Sequence, residues 1–262
     1  MHQGTIIKNQ NKLGGKARET IDLYLALPIG TKPSCPYFNN RRRKSRGGLR
    51  VLKGKGSPAE IVEETEICAK LRRIKIAELS TDKLKEFLVA EDLGIDCSGF
   101  VYHVLNSYCQ EKKERSIQSY VKSIRTGFIG KFLARLRPAE NLGVSSFRND
   151  KNSFEIKPSQ AEPGDFITFM GTGKDRTYNH IVVITGIEKA NNDTRISYAH
   201  SYSWPSDGVY QHGVREGDIL VHGDNLLGGT WKEQGVTGAD NYTYESARNA
   251  KEVSVRRLNF LK

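Results

Sequence analysis

The feature that most constrains this chain is a change of rhythm at Pro163. Upstream, apolar residues recur at the three- and four-residue spacing of amphipathic helices. Downstream, short β-branched and aromatic runs are separated by Gly, Asn and Asp. These runs are DFITFM (165–170), HIVVITGI (180–187), RISYAHSY (195–202), DILVHG (218–223) and a last one, VSVRRLNFL, at the end of the chain. Asn191, Asn192 and Asp193 mark a hairpin turn between the second and third runs. Helices first and an antiparallel sheet after them is the α+β layout, and 262 residues suffice for a sizeable core.

In the first half, helices are expected over 17–27, ending before Pro28, and from Pro58 onward, with acidic residues early and Lys/Arg late as the helix dipole favours. A further helix is expected over 81–90, with Ser80 or Thr81 as its N-cap. Residues 116–136 also carry a helical pattern, interrupted at Gly127 and Gly130, and 137–163 reads as a polar connection. No apolar run reaches the length of a membrane span. The N-terminus lacks the basic-then-apolar layout of a secretory signal, so the expected location is the cytoplasm, or the cell wall by a non-classical route.

The net charge of +11 is concentrated. Residues 1–60 hold 13 Lys/Arg against 3 Asp/Glu, a net of +10, and the rest nearly balance. The centre is RRRKSRGGLRVLKGKG (41–56), which reads either as a solvated basic loop or as a surface for an anionic polymer at Arg41 to Arg50. Aromatic residues do not interleave with it, as single-strand binding would want. The four cysteines, Cys35, Cys68, Cys97 and Cys109, have neither CxxC spacing nor a histidine cluster suited to zinc, and free thiols are expected. No metal and no cofactor is expected.

Cys97 is placed differently from the other three. In GIDCSGFVYHVL (94–105) it follows Asp96, a candidate N-cap, and begins the apolar stripe Cys97, Phe100, Val101, Val104, Leu105, Tyr108. A helix N-terminus favours the thiolate and offers backbone N–H groups to an oxyanion. A cysteine nucleophile also needs a base, usually histidine held by a third polar group. His103 lies about 240° around the same helix and cannot face the thiol. His180 and His200 fall on successive strands. They share a sheet face only if paired residue numbers there sum to an even value. Trp204 and Trp231 are candidates for a cleft wall or for core, and His212 and His222 have no assigned role.

DCSGFV (96–101), PGDFITF (163–169), NHIVVITG (179–186) and YAHS (198–201), in that order, resemble the motifs of NlpC-type cell-wall peptidases of the papain-like superfamily. The resemblance covers about 110 residues, from Gly94 to Tyr202. It implies a papain-like NlpC-type fold with Cys97 as nucleophile, His180 as general base and His200 as the group that orients it. It also implies cleavage of amide bonds in peptidoglycan peptides without a metal. The Pro-Tyr and Gly-Gly that usually precede the cysteine are absent there, but CPYFNN (35–40) and RGG (46–48) lie about sixty residues upstream. That makes the helices at 58–90 a candidate insertion, with Tyr37 near the oxyanion beside Asp96 and Ser98. On this reading residues 1–93 form a basic and helical region integrated with a catalytic core at 94–262. The alternatives are a CHAP-type amidase, a thioester acyltransferase on the same fold, or a non-enzymatic anion-binding protein working through 41–56. The oligomeric state stays open.

Overall fold

Every strand pairing in the structure is antiparallel, and the described strands form one nine-stranded sheet. The structure is a computed structural model, which describes residues 9–39, 51–124, 138–190, 193–207, 213–233 and 236–262. The strands are β1 (Asn9–Lys12), β2 (Ser153–Ile156), β3 (Phe166–Thr172), β4 (Tyr178–Ala190), β5 (Asp193–Tyr202), β6 (Gly213–His222), β7 (Thr230–Glu233), β8 (Val236–Thr237) and β9 (Glu252–Leu258). Their spatial order is β2-β9-β3-β4-β5-β6-β7-β8. At 13 residues β4 is long enough for β3 to pair with its first half and β1 with its second. The fold is α+β with an antiparallel sheet, as the shift of rhythm at Pro163 implies.

The α-helices are α1 (Gly15–Leu25), α2 (Pro58–Arg72), α3 (Thr81–Ala90), α4 (Cys97–Lys113), the short α5 (Pro138–Asn141) and α6 (Val144–Arg148), and α7 (Tyr242–Arg248). Their ends follow from local chemistry. Ser57 and Glu60 form a reciprocal capping box before α2, with Pro58 at the first position. Ser80 caps α3 by accepting from Lys83 N–H. Asp96 caps α4 by accepting from Gly99 N–H at 2.6 Å, and α4 ends where Glu114 turns left-handed, with Lys112 and Lys113 in its last turn.

One expectation for the first half changes, and another falls mostly outside the described residues. Among the described residues of 116–136 there is only a short 3-10 turn at Ile117–Ser119, and residues 125–136 lie outside the described ones. The segment 137–163 is more than a connection, since it holds α5, α6 and β2.

The sheet has an apolar layer on each face. One contains Ile181, Val183, Ala199 and Val214 with residues of α1 to α4, including Tyr24, Phe100, Val101 and Leu105. The other contains Val182, Ile184, Ile196, Tyr198, Ile219 and Trp231, with Ala247 of α7. Both strand faces in the centre are therefore buried, which is why β4 is a continuous apolar run. Each buried Phe, Val or Leu of α4 contributes about 1.5–3 kcal/mol by leaving water. Trp204 and Trp231 are both core residues. No helix among the described residues is long and apolar enough to cross a membrane.

Candidate active site

Cys97 occupies the first position of α4, where the chain is crossed by two upstream segments. Phe38 N–H donates to Ile95 O, Ile95 N–H to Pro36 O, and Asp96 N–H to Gly54 O. Residues 36–38 and 54–55 therefore flank the strand-like lead-in to Cys97, and Tyr37 forms a bridge with Ile95. The chain leaves this point after Lys55 and returns at Gly94, so α2 and α3 are an excursion that starts and ends beside the cysteine. Tyr37 lies close enough to Cys97 for the sulfur to affect its phenol, which burial first and then Cys97 push upward. Gly99 is needed for the crossing: a Cβ there would stand 2.6 Å from Gly54 O.

The two neighbours of Cys97 are occupied by the helix start itself. Asp96 Oδ1 accepts from Gly99 N–H and from Lys55 Nζ at 2.8 Å, and Lys55 Nζ also donates to Ser98 Oγ at 2.6 Å. All three side chains are buried. The carboxylate that would have opposed a thiolate at Cys97 is thus compensated by a cation. Lys55 itself belongs to this network and not to a solvated basic surface, and Lys53 pairs with Glu140 at 2.6 Å. The remainder of the basic run, Asn40 to Arg50 with the RGG motif, lies outside the described residues. So do His2 and His212. His103 reaches Lys55 O at 3.0 Å, and His222 pairs with Asp193 on the surface.

His180 and His200 meet, and the reason is a bulge. Near the turn the β4–β5 pairs run from Ala190–Asp193 to Gly186–Ser197, with residue numbers that sum to 383. Had that odd register continued, the two histidines would lie on opposite faces. Between Ile184 and Gly186 the register shifts, and the next pairs, Ile184–Tyr198 and Val183–Ala199, sum to 382. A spacing of 20 residues is one too many for this hairpin to bring the histidines together, and Thr185 is where the surplus is shed. Both rings then lie with Tyr198 and Tyr202: His180 Nε2 is 2.7 Å from His200 Nδ1, and the His180 ring stacks on Tyr202 at 4.0 Å between centroids.

The cysteine belongs to the helix layer, and the histidines lie on the face of β4 and β5 that carries Tyr198. The β4–β5 ladder ends at Val183–Ala199, short of both histidines. Beyond its end the backbone amides of Ile181, the residue after His180, and of Ser98 lie near the Cys97 sulfur and favour its thiolate. Burial pushes the Cys97 thiol up to about 12, and Asp96 adds to the shift; Lys55 and the two amides act in the other direction. Burial also holds His180 well below the usual imidazole range, with His200 and Arg215 contributing. Both groups are therefore neutral near pH 7.

Two residues of this cluster carried no motif. Glu233, on β7, lies with Oε2 3.2 Å from His200 Nε2 and accepts from Tyr198 Oη–H at 2.6 Å. Arg215, opposite His200 across the β5–β6 ladder, places Nη1 3.7 Å from Glu233 Oε1. The alternation Tyr198, His200, Tyr202 along one strand face was a legible hint of a polar-aromatic cluster, whereas TWKE offered none for Glu233. No disulfide joins the four cysteines, all of them buried. Among the described residues no group of His, Cys, Asp and Glu is arranged to hold a metal ion.

Comparison with family models, with curated proteins and with solved structures finds no match to this chain.

Proposed function

We propose that this protein is a cysteine amidohydrolase of papain-like, NlpC-type architecture that cleaves amide bonds in cell-wall peptides. The observation that carries the reading is the division of the His180 ring. Its Nε2 is committed to His200 Nδ1 at 2.7 Å, and the backbone amide of Ile181, the strand residue beside it, lies near enough to the Cys97 sulfur to favour its thiolate. That leaves Nδ1 of His180 as the nitrogen available to a thiol, with His200 behind it, which is the arrangement a cysteine nucleophile requires.

In this mechanism Cys97 Sγ–H gives its proton to His180 Nδ1 as the sulfur attacks the carbonyl carbon. The tetrahedral oxyanion forms beside the first turn of α4, whose amides and the Tyr37 hydroxyl are the candidate donors. Collapse breaks the C–N bond, and the proton on His180 passes to the leaving amine. Water then attacks the thioester, His180 takes its proton, and the released thiolate recovers it. Asp96 and Ser98 hold the helix start through Lys55. The motif resemblance supports peptidoglycan peptides as the substrate class.

The test is digestion of purified peptidoglycan peptides by wild type and Cys97→Ala, read by mass spectrometry. New free amine and carboxyl termini with wild type alone are expected. Identical, undigested peptides from both proteins would overturn the cell-wall assignment.

A further inference from the structure

We propose that Glu233 is a positioning residue that fixes which nitrogens of the His180–His200 pair carry protons; this rests on the reading of Cys97 and His180 as nucleophile and base. The argument begins with burial. Glu233 is 1% exposed on a strand whose neighbour Trp231 is core. A carboxylate in such a place costs several kcal/mol unless charged and polar partners compensate it, and an apolar side chain would serve the layer better. The fold makes specific room for it. A Cβ on Gly217, which pairs with both Tyr198 and Glu233, would stand 2.6 Å from the Tyr198 hydroxyl, so glycine keeps open the path by which that hydroxyl reaches Glu233. Arg215, packed over the Trp204 ring at 5.0 Å, adds a buried cation on the other side.

The chemistry follows from the two possible proton arrangements. In one, His180 Nε2–H donates to His200 Nδ1, His200 Nε2–H faces Glu233, and His180 Nδ1 keeps a lone pair for the thiol. In the other, every proton moves across: His200 Nδ1–H donates to His180, its bare Nε2 faces a carboxylate at 3.2 Å, and His180 presents N–H to Cys97. The second sets lone pair against carboxylate and leaves no base. His200 Nε2 is buried, makes no aligned hydrogen bond, and has the Glu233 carboxylate at 3.2 Å, so the charge of Glu233 is what selects the first arrangement. Burial raises the Glu233 carboxyl, but His200, Tyr198 and Arg215 more than offset it and hold it below the usual range, so it is ionised when the pair must work. The titratable groups facing the histidines are Tyr198 and Tyr202 from β5, Arg215 from β6 and Glu233 from β7, with Tyr242 of α7 stacked behind Tyr202.

The test combines long-range proton–nitrogen spectra of the histidines with the pH profile of Cys97 alkylation by iodoacetamide, in wild type and Glu233→Gln. Wild type should show His200 protonated at Nε2 and both Nδ1 atoms bare. In Glu233→Gln the His200 tautomers should mix, and the alkylation rate at pH 7.5 should fall about tenfold, the equivalent of one pKa unit. A thermal melt separates this from loss of fold. If wild-type His200 carries its proton on Nδ1, the proposal is overturned without any variant, which keeps it decidable should Glu233→Gln not fold. An unchanged spectrum and profile in a folded Glu233→Gln overturn it too. The hydrolase reading fails separately: tautomers that depend on Glu233 beside a Cys97 indifferent to His180 would leave the positioning role standing and remove the nucleophile.

Discussion

Lys55 and Gly99 show how much of this site lies in residues that do no chemistry. The ion pair of Lys55 with Asp96 is buried on both sides, with side-chain exposures of 9% and 8%. Lys55→Ala leaves the Asp96 carboxylate with its cap bond but without its cation, and is expected to cost about 3–5 kcal/mol, read from the urea midpoint. Asp96→Asn keeps a good N-cap and strands Lys55 instead, so it should also destabilise, by a similar amount. Gly99 separates two principles by sign. Helix propensity alone says that Gly99→Ala stabilises by about 1 kcal/mol. The contact with Gly54 O says that it destabilises, by about 1–3 kcal/mol, because the clash is with backbone. We expect destabilisation, measurable by the same unfolding curves. The Ser-Gly that follows the cysteine is thus a packing requirement of the crossing chain as well as part of a motif.

At the scale of elements, the hairpin β4–β5 decides whether a site exists. Removing Thr185 deletes only the surplus residue, so His180 and His200 should still share a face. The deletion is expected to fold and to keep Cys97 reactivity. Removing Val182 takes out one residue beyond the bulge and turns His180 away from His200, so the 2.7 Å contact between the two rings should be lost in any protein that folds. Gly217→Ala should push the Tyr198 ring off Glu233 and cost about 1–3 kcal/mol, seen in denaturant unfolding. The legibility of these elements in the sequence divides along the same line. α3, α4 and the cores of β3 to β6 and β9 are readable because periodicity, caps and turn residues agree with the tertiary structure. β1, β2, β7 and β8 are short strands of 4, 4, 4 and 2 residues without alternation to mark them, and their pairing comes from the sheet they join. Cys97, His180 and His200 could be found from position and order. Glu233 could not, because it sits on one of those unmarked strands, and the bulge at Thr185 is set by packing on both faces that no local pattern reports.

For the whole molecule, two layers of core on one sheet bring groups far apart in sequence into one low-dielectric site, and that burial gives stability a definite pH window. His180 has its imidazole held below 6.5, so the unfolded chain binds the proton more readily and stability falls as pH drops through that value. Glu233, held below 4.5, adds a further loss at lower pH. Cys97 is raised from 9.0 to about 12, so above pH 9 the unfolded thiol ionises while the folded one does not, and stability falls again. The melting temperature should therefore be highest between about pH 7 and 9. Cys97→Ser should flatten part of the alkaline limb and His180→Gln part of the acid one, in melts followed by circular dichroism. In the proposed mechanism the same burial leaves a neutral thiol and a neutral imidazole, so the reactivity of Cys97 depends on proton transfer to His180 rather than on a standing thiolate. Site-resolved iodoacetamide labelling of the native protein at pH 7.5 tests that pairing without knowledge of the substrate. The account predicts Cys97 to be modified at least about tenfold faster than Cys35, Cys68 or Cys109, with the advantage gone in His180→Gln. Equal rates at the four cysteines, or a Cys97 rate unchanged in folded His180→Gln, would contradict it.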